Sequence, residues 1–128
     1  MLRIAFVGVL VVEDDAPLAS FLRKGLEAEH YAVDVAADGD DARWMASECD
    51  YDLMILDLNL PKMDGISVLR AVRPEKPSLP ILVLTGRSRI EDRVQCLVRR
   101  QRLCHQAVLL YRAFSARAGP AAASALHL

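Results

Sequence analysis

The chain alternates between two hydrophobic rhythms. Residues 9–12 (VLVV) are an unbroken β-branched and apolar run, which predicts a strand buried on both faces. The period then changes. Leu18, Phe21, Leu22 and Leu26 recur at helical spacing, with Asp15 placed to cap and Pro17 in the first turn, so a helix runs from there to near His30. Residues 32–37 read as a second strand, turned by Asp38-Gly39. Residues 40–49 read as a second helix with Ala42, Met45 and Ala46 facing inward, and Trp44, Met45 and Phe21 are expected in the core. Residues 52–57 form the third strand. Residues 65–73 form the third helix, with Ile66, Leu69 and Val72 on one face, and PEKPSLP is a loop. Residues 81–84 form the fourth strand. Ser88 is placed to cap a fourth helix carrying Ile90, Val94 and Leu97.

Strands alternating with helices predict an α/β fold: an open, mostly parallel sheet with helices on both faces. Such sheets bind ligands outside the carboxyl ends of their strands, at a topological switch point. The predicted strand ends carry Glu13-Asp14-Asp15, Asp57 and Thr85. Taken singly, these are common strand-end and capping residues. Together they aim several carboxylates and a hydroxyl at one crevice. Crowded carboxylates raise one another's pKa unless a cation neutralises them. Magnesium suits such a site, because it takes oxygen ligands, usually one or two carboxylates with waters and a phosphate. A carboxylate can itself accept a phosphoryl group.

Composition adds one thing to this picture. A chain of 128 residues, 53% hydrophobic and 26% charged, is an ordinary single globular domain. Its net charge of −1 hides a split. All 17 acidic residues lie between Glu13 and Asp92, so residues 1–96 carry −6 and residues 97–128 carry +5. Cys49, Cys96 and Cys104 have neither metal nor disulfide spacing, and their odd number suggests a reducing cytosol. His30, His105 and His127 have no partner pattern. No apolar run reaches membrane-spanning length. The opening MLRIAFVGVLVV has the look of a short signal peptide, but it runs straight into Glu13-Asp14-Asp15 without a small-residue cleavage site, so a strand is expected.

Three segments in order, VLVVEDD, DLMILDLNLPKMDG and PILVLTG, resemble the receiver domain of bacterial two-component response regulators. The stretch EDDAPLASFLRKGLEAEHYAVDVAADGDDA is similar to the branch fused to winged-helix DNA-binding domains. The resemblance implies a flavodoxin-like, doubly wound parallel sheet of order 2-1-3-4. It also implies roles. Asp57 would accept a phosphoryl group from a sensor histidine kinase. Asp14 and Asp57 would hold Mg²⁺ directly, Glu13 largely through water, and Asn59 by its backbone carbonyl. Thr85 would bond the phosphoryl oxygen, Gly86 would leave it room, and Pro61 and Gly65 would shape the loop. The protein would be cytoplasmic, with at most Mg²⁺-dependent self-phosphorylation and self-dephosphorylation rather than action on an external substrate.

The resemblance stops near Leu97. A receiver continues with a fifth strand, a Lys-Pro pair and a fifth helix. Here residues 98–128 form a basic, Ala-rich tail with no lysine, so the usual fifth strand and helix are missing or replaced, and 1–97 reads as an incomplete receiver-like domain. Only residues 107–110 form a short apolar run. Residues 88–118 suit one long helix stopped by Gly119-Pro120, with an imperfect stripe of Val94, Leu97, Val98, Cys104, Val108 and Leu109 that suits the edge of the fourth strand. Reverse translation of residues 99–117, read one base along, permits GANDYVIKPF, which resembles the missing ending. We expect a frameshift near Val98, which the nucleotide sequence there decides. Two functions follow: a phosphoacceptor domain, or a switch-dead remnant or interaction module without the phosphate-contacting lysine. Neither a DNA-binding domain nor a membrane partner is expected in these residues, and the family's dimer face does not carry over to the replaced segment.

Overall fold

The computed structural model describes residues 7–58, 60, 64–84 and 101–117, the side chains of residues 101 and 115–117 aside. The elements run β1 (Gly8–Val12), α1 (Ala16–Glu27), β2 (Ala32–Ala36), α2 (Gly39–Glu48), β3 (Leu53–Asp57), α3 (Gly65–Glu75), β4 (Ile81–Leu84) and α4 (Gln101–Arg117). The four strands form one parallel sheet in the order β2-β1-β3-β4. The chain steps from β1 to β2 on one side, then back across β1 to β3 and onward to β4. Right-handed crossovers therefore place α1 on one face and α2 and α3 on the other. α2 and α3 pack on each other, and α4 packs on α1.

The continuous apolar runs become the central strands. Val9 to Val12 and Leu53 to Leu56 are at most 1% exposed. Each of the three crossover helices starts on an aspartate that accepts a backbone N–H three residues on. Leu18 donates to Asp15 at 3.4 Å, Asp41 to Asp38 at 2.9 Å and Ser67 to Asp64 at 2.8 Å. α3 runs two residues further than its pattern predicts and takes Pro74 into its last turn. Pro74 is exposed, so water can serve the carbonyl that its missing N–H leaves. α1 closes through His30, which sits at φ 70, a left-handed turn that histidine tolerates better than most residues.

Two expected core residues lie outside. Trp44 is 65% exposed and Ile66 43%. α2 meets its neighbours through Gly39, Ala42 and Ala46, and α3 through Gly65, Val68 and Val72. Small residues set each contact face, so the large side chains one or two positions along point outward. Met45 is half-buried against the core, and Phe21 is half-buried.

The helix expected from Ser88 lies outside the described residues up to position 100. Residues 107–110 are helical rather than a strand. Leu103, Cys104, Ala107, Val108 and Tyr111 of α4 are buried, whereas Leu109 is 51% exposed. The packing partner is α1, which lies over β1 and β2, rather than the edge of β4. Phe21 and Phe114 stack with ring centroids 5.5 Å apart. The Tyr31 hydroxyl donates to Gln106 Oε1 at 2.9 Å, and Gln106 Nε2 donates to Glu29 Oε1 at 2.9 Å. Cys104 is disulfide-bonded, against the expectation from cysteine spacing, while Cys49 is free and exposed. Among the described residues no helix is long and apolar enough to cross a membrane.

Candidate functional site

Parallel strands bring their carboxyl ends to one edge of the sheet. β1 and β3 are neighbours with Val12 in register with Leu56. Glu13, the residue after β1, therefore lies beside Asp57, the last residue of β3. Asp14 follows. Carboxylate oxygens of Glu13, Asp14 and Asp57 all lie within 4.8 Å of one another. Three elements hold them in place. The Glu13 N–H donates to the Ala36 carbonyl at the end of β2, at 3.0 Å. The Asp15 N–H donates to Glu13 Oε2 at 3.1 Å. Asp57 pairs in register with Leu84, the last residue of β4.

The three carboxylates differ in environment. Asp14 is exposed, Asp57 is half-buried and Glu13 is only 4% exposed. Burial pushes the Glu13 carboxyl up to about 9, and the charges of Asp57 and then Asp14 add to it. The Asp15 N–H pulls the other way but is outweighed. Without a cation beside it, this environment favours the protonated form of Glu13 at neutral pH.

The start of α3 comes back close to the end of β3. Gly65 N–H donates to the Leu58 carbonyl at 3.0 Å. A Cβ at Gly65 would lie 2.5 Å from Leu58 Cα and 2.7 Å from the Asp57 carbonyl oxygen. Only glycine lets α3 start this close to the strand end that carries Asp57. The capping carboxyl of Asp64 is held below the usual carboxylate range by the Ser67 N–H.

Of the residues singled out in the sequence, the structure brings together Glu13, Asp14 and Asp57, with Gly65 close against Leu58 and the Asp57 carbonyl. Asn59, Pro61, Thr85 and Gly86 lie outside the described residues. Sequence reasoning assigned Asp15 a capping role and missed that its backbone also holds Glu13. The signal was there: an acidic triplet, then a proline, puts a helix start directly after a strand end. A second feature, a cavity of about 280 Å³ lined by Cys49, Tyr51, Lys76 and Pro80 among others, opens at the amino end of the sheet, away from the carboxylates. It is bordered by the Lys76–Asp50 ion pair at 2.6 Å.

Three carboxyl groups within reach of one point, one of them buried, make an oxygen donor set suited to a small divalent cation. A half-buried carboxylate beside that position is also placed to act as a nucleophile.

A family model described as the response regulator receiver domain matches residues 9–102. The transcriptional regulatory protein ResD of Bacillus subtilis is 46% identical over 87 residues, which cover 68% of this chain and 36% of ResD. The chain thus spans about a third of the length of that relative. Among solved structures, the receiver domain of a Pseudomonas aeruginosa sensor histidine kinase superposes with a TM-score of 0.64 at 32% identity, covering 72% of this chain and 77% of that one. That domain carries a magnesium ion in its active site cleft. The Thermotoga maritima response regulator TrrA, in complex with Mg(2+)-BeF, superposes with a TM-score of 0.64 at 27% identity, covering 80% of this chain and 97% of that one.

Proposed function

The chain belongs to the response regulator receiver family, and from that premise we propose that it is a phosphoacceptor that takes a phosphoryl group onto Asp57 from a sensor histidine kinase. The observation that carries the proposal is the convergence of Glu13, Asp14 and Asp57 within 4.8 Å at the carboxyl edge of the sheet. Asp14 and Asp57 would hold Mg²⁺ directly and Glu13 through water, with the Asn59 backbone carbonyl as a further oxygen. Bound there, Mg²⁺ neutralises charge that the carboxylates alone cannot. The Asp57 carboxylate oxygen attacks phosphorus, the P–N bond to the kinase imidazole breaks, and an acyl phosphate forms. The imidazole leaves with the electron pair of that bond. Thr85 would bond the phosphoryl oxygen, and Gly86 would leave it room. The setting is the cytoplasm, where the kinase presents its phosphohistidine, and the chemistry is self-directed rather than enzymatic on an outside substrate.

One observation favours a second reading. The chain has no lysine after Lys76, and the acid-free α4 packs on α1. On that reading the chain, without the phosphate-contacting lysine, is a docking module that cannot relay a signal.

Intact-protein mass separates the two. The chain is incubated with Mg²⁺ and acetyl phosphate beside Asp57→Asn. A single phosphoryl adduct in the parent, absent from the variant, is the expected result. No adduct in a folded parent overturns the phosphoacceptor reading and leaves the docking module.

A further inference from the structure

Two exposed helix faces of this chain are complementary to each other. On α2, Trp44 is 65% exposed, and Asp40, Asp41 and Glu48, at helical spacing around it, are exposed too. On α4, Leu109 is 51% exposed, and Arg102, His105 and Arg112 surround it in the same way. One face is an apolar side chain with three carboxylates around it and the exposed Arg43 at its flank. The other is an apolar side chain ringed by basic groups, on a helix that contains no acidic residue.

Local helix physics accounts for two members of the acidic ring but not the third. Asp40 and Asp41 lie in the first turn of α2, where the helix dipole favours them. Glu48 lies in the last turn, where the dipole opposes it, and no basic residue there offsets it. A cation from outside the helix would.

The faces cannot meet within one molecule. α2 lies on one side of the sheet and α4, on α1, lies on the other. We infer that α4 of one copy docks on α2 of a second copy, Leu109 against Trp44, with the basic ring against the acidic one. The two surfaces differ, so the contact is head-to-tail, and the pair keeps one free face of each kind, α2 on one copy and α4 on the other. Association therefore continues past a dimer. The patch is small, so the contact is weak, and its charged rim makes it sensitive to salt. This goes beyond phosphoacceptance and needs neither Asp57 nor a metal.

Trp44 is the only tryptophan, so its emission reports burial of the acidic face directly. The test uses the full chain, Trp44→Lys and Leu109→Asp, each shown to be folded by circular dichroism. Both sites are exposed, so folding should survive. In sedimentation velocity at low ionic strength, the parent's mass should rise with concentration beyond that of a dimer and fall back in high salt. Each variant alone should be monomeric. An equimolar mixture should form a 1:1 pair and no larger species, because Trp44→Lys keeps the α4 face and Leu109→Asp keeps the α2 face. In that mixture the emission of the remaining tryptophan should move to shorter wavelength. A parent that stays monomeric at every concentration overturns the inference. So does either variant alone assembling like the parent, or a mixture no heavier than its parts.

Discussion

Two glycines sit where a helix meets its neighbour, and they meet different kinds of atom. A Cβ on Gly65 would strike backbone, at 2.5 Å from Leu58 Cα and 2.7 Å from the Asp57 carbonyl. A Cβ on Gly25 would strike the branched end of one side chain, with Leu110 Cδ2 at 2.6 Å. The first glycine belongs to the carboxylate edge of the sheet, the second to the seam between α1 and α4. Backbone cannot yield without moving an element, whereas a half-buried leucine can turn. The carboxylate edge is set by main-chain register. The α4 seam is set by side chains that happen to interlock. A receiver-like site therefore demands particular residues at particular positions, while almost any helix with a suitable stripe can lie on α1.

The largest expected effect breaks the rigid side. Gly65→Ala should cost about 3 kcal/mol, the upper end for overpacking, because both struck atoms are main chain. Denaturant unfolding measures it. The same variant should lose phosphoryl acceptance at Asp57 even where it remains folded, since the α3 start and the end of β3 can no longer share their space. A loss below about 1 kcal/mol would mean that the loop after β3 is as compliant as the α4 seam.

The next effect tests the electrostatics of the same edge. Folding raises the Glu13 pKa from 4.5 to about 9. Between those values the folded protein holds a proton that the unfolded chain has released. Stability therefore falls as pH rises across that window, by at most about 1.4 kcal/mol per unit for one proton. From pH 6 to pH 8 the metal-free chain should lose about 2 kcal/mol. Glu13→Gln should flatten the slope. Mg²⁺ should stabilise the parent more at pH 8 than at pH 6, because it replaces a proton already harder to keep. Denaturation series at several pH values, with and without Mg²⁺, read all three. A parent whose stability does not fall across this window would mean that Glu13 is ionised in the fold. At the α4 seam the Tyr31–Gln106 hydrogen bond is part-buried and the Gln106–Glu29 bond exposed.

The same contrast explains what could be read from the sequence. β1 and β3 were legible because strands buried on both faces need continuous apolar runs, and Val9–Val12 and Leu53–Leu56 have them. The three carboxylates were legible because a parallel sheet gathers strand ends. The outward turn of Trp44 was not, since it depends on alanines at 42 and 46 winning the contact face. The fate of α4 was legible only in part. Its stripe announced a helix, but the choice of α1 rests on Phe21, Gly25 and Tyr31, more than 70 residues away in the chain. Nor could spacing show that Glu13 would keep its proton, because that follows from burial by elements on every side.

The smallest effect sharpens the compliant side. Gly25 lies inside α1, where alanine is favoured over glycine by about 0.5–1 kcal/mol. Against this stands the displacement of Leu110. The two should nearly cancel, leaving Gly25→Ala within about 1 kcal/mol of the parent. The balance can be separated. In a Leu110→Ala background the obstructing branch is gone, so the same substitution should become stabilising by about 0.5–1 kcal/mol. The double-mutant cycle reads the difference as the cost of turning one leucine. Should Gly25→Ala remain destabilising by 2 kcal/mol or more in that background, the obstruction would be the α4 main chain itself. The seam would then be held as rigidly as the carboxylate edge, and α4 would be as integral to the fold as α3.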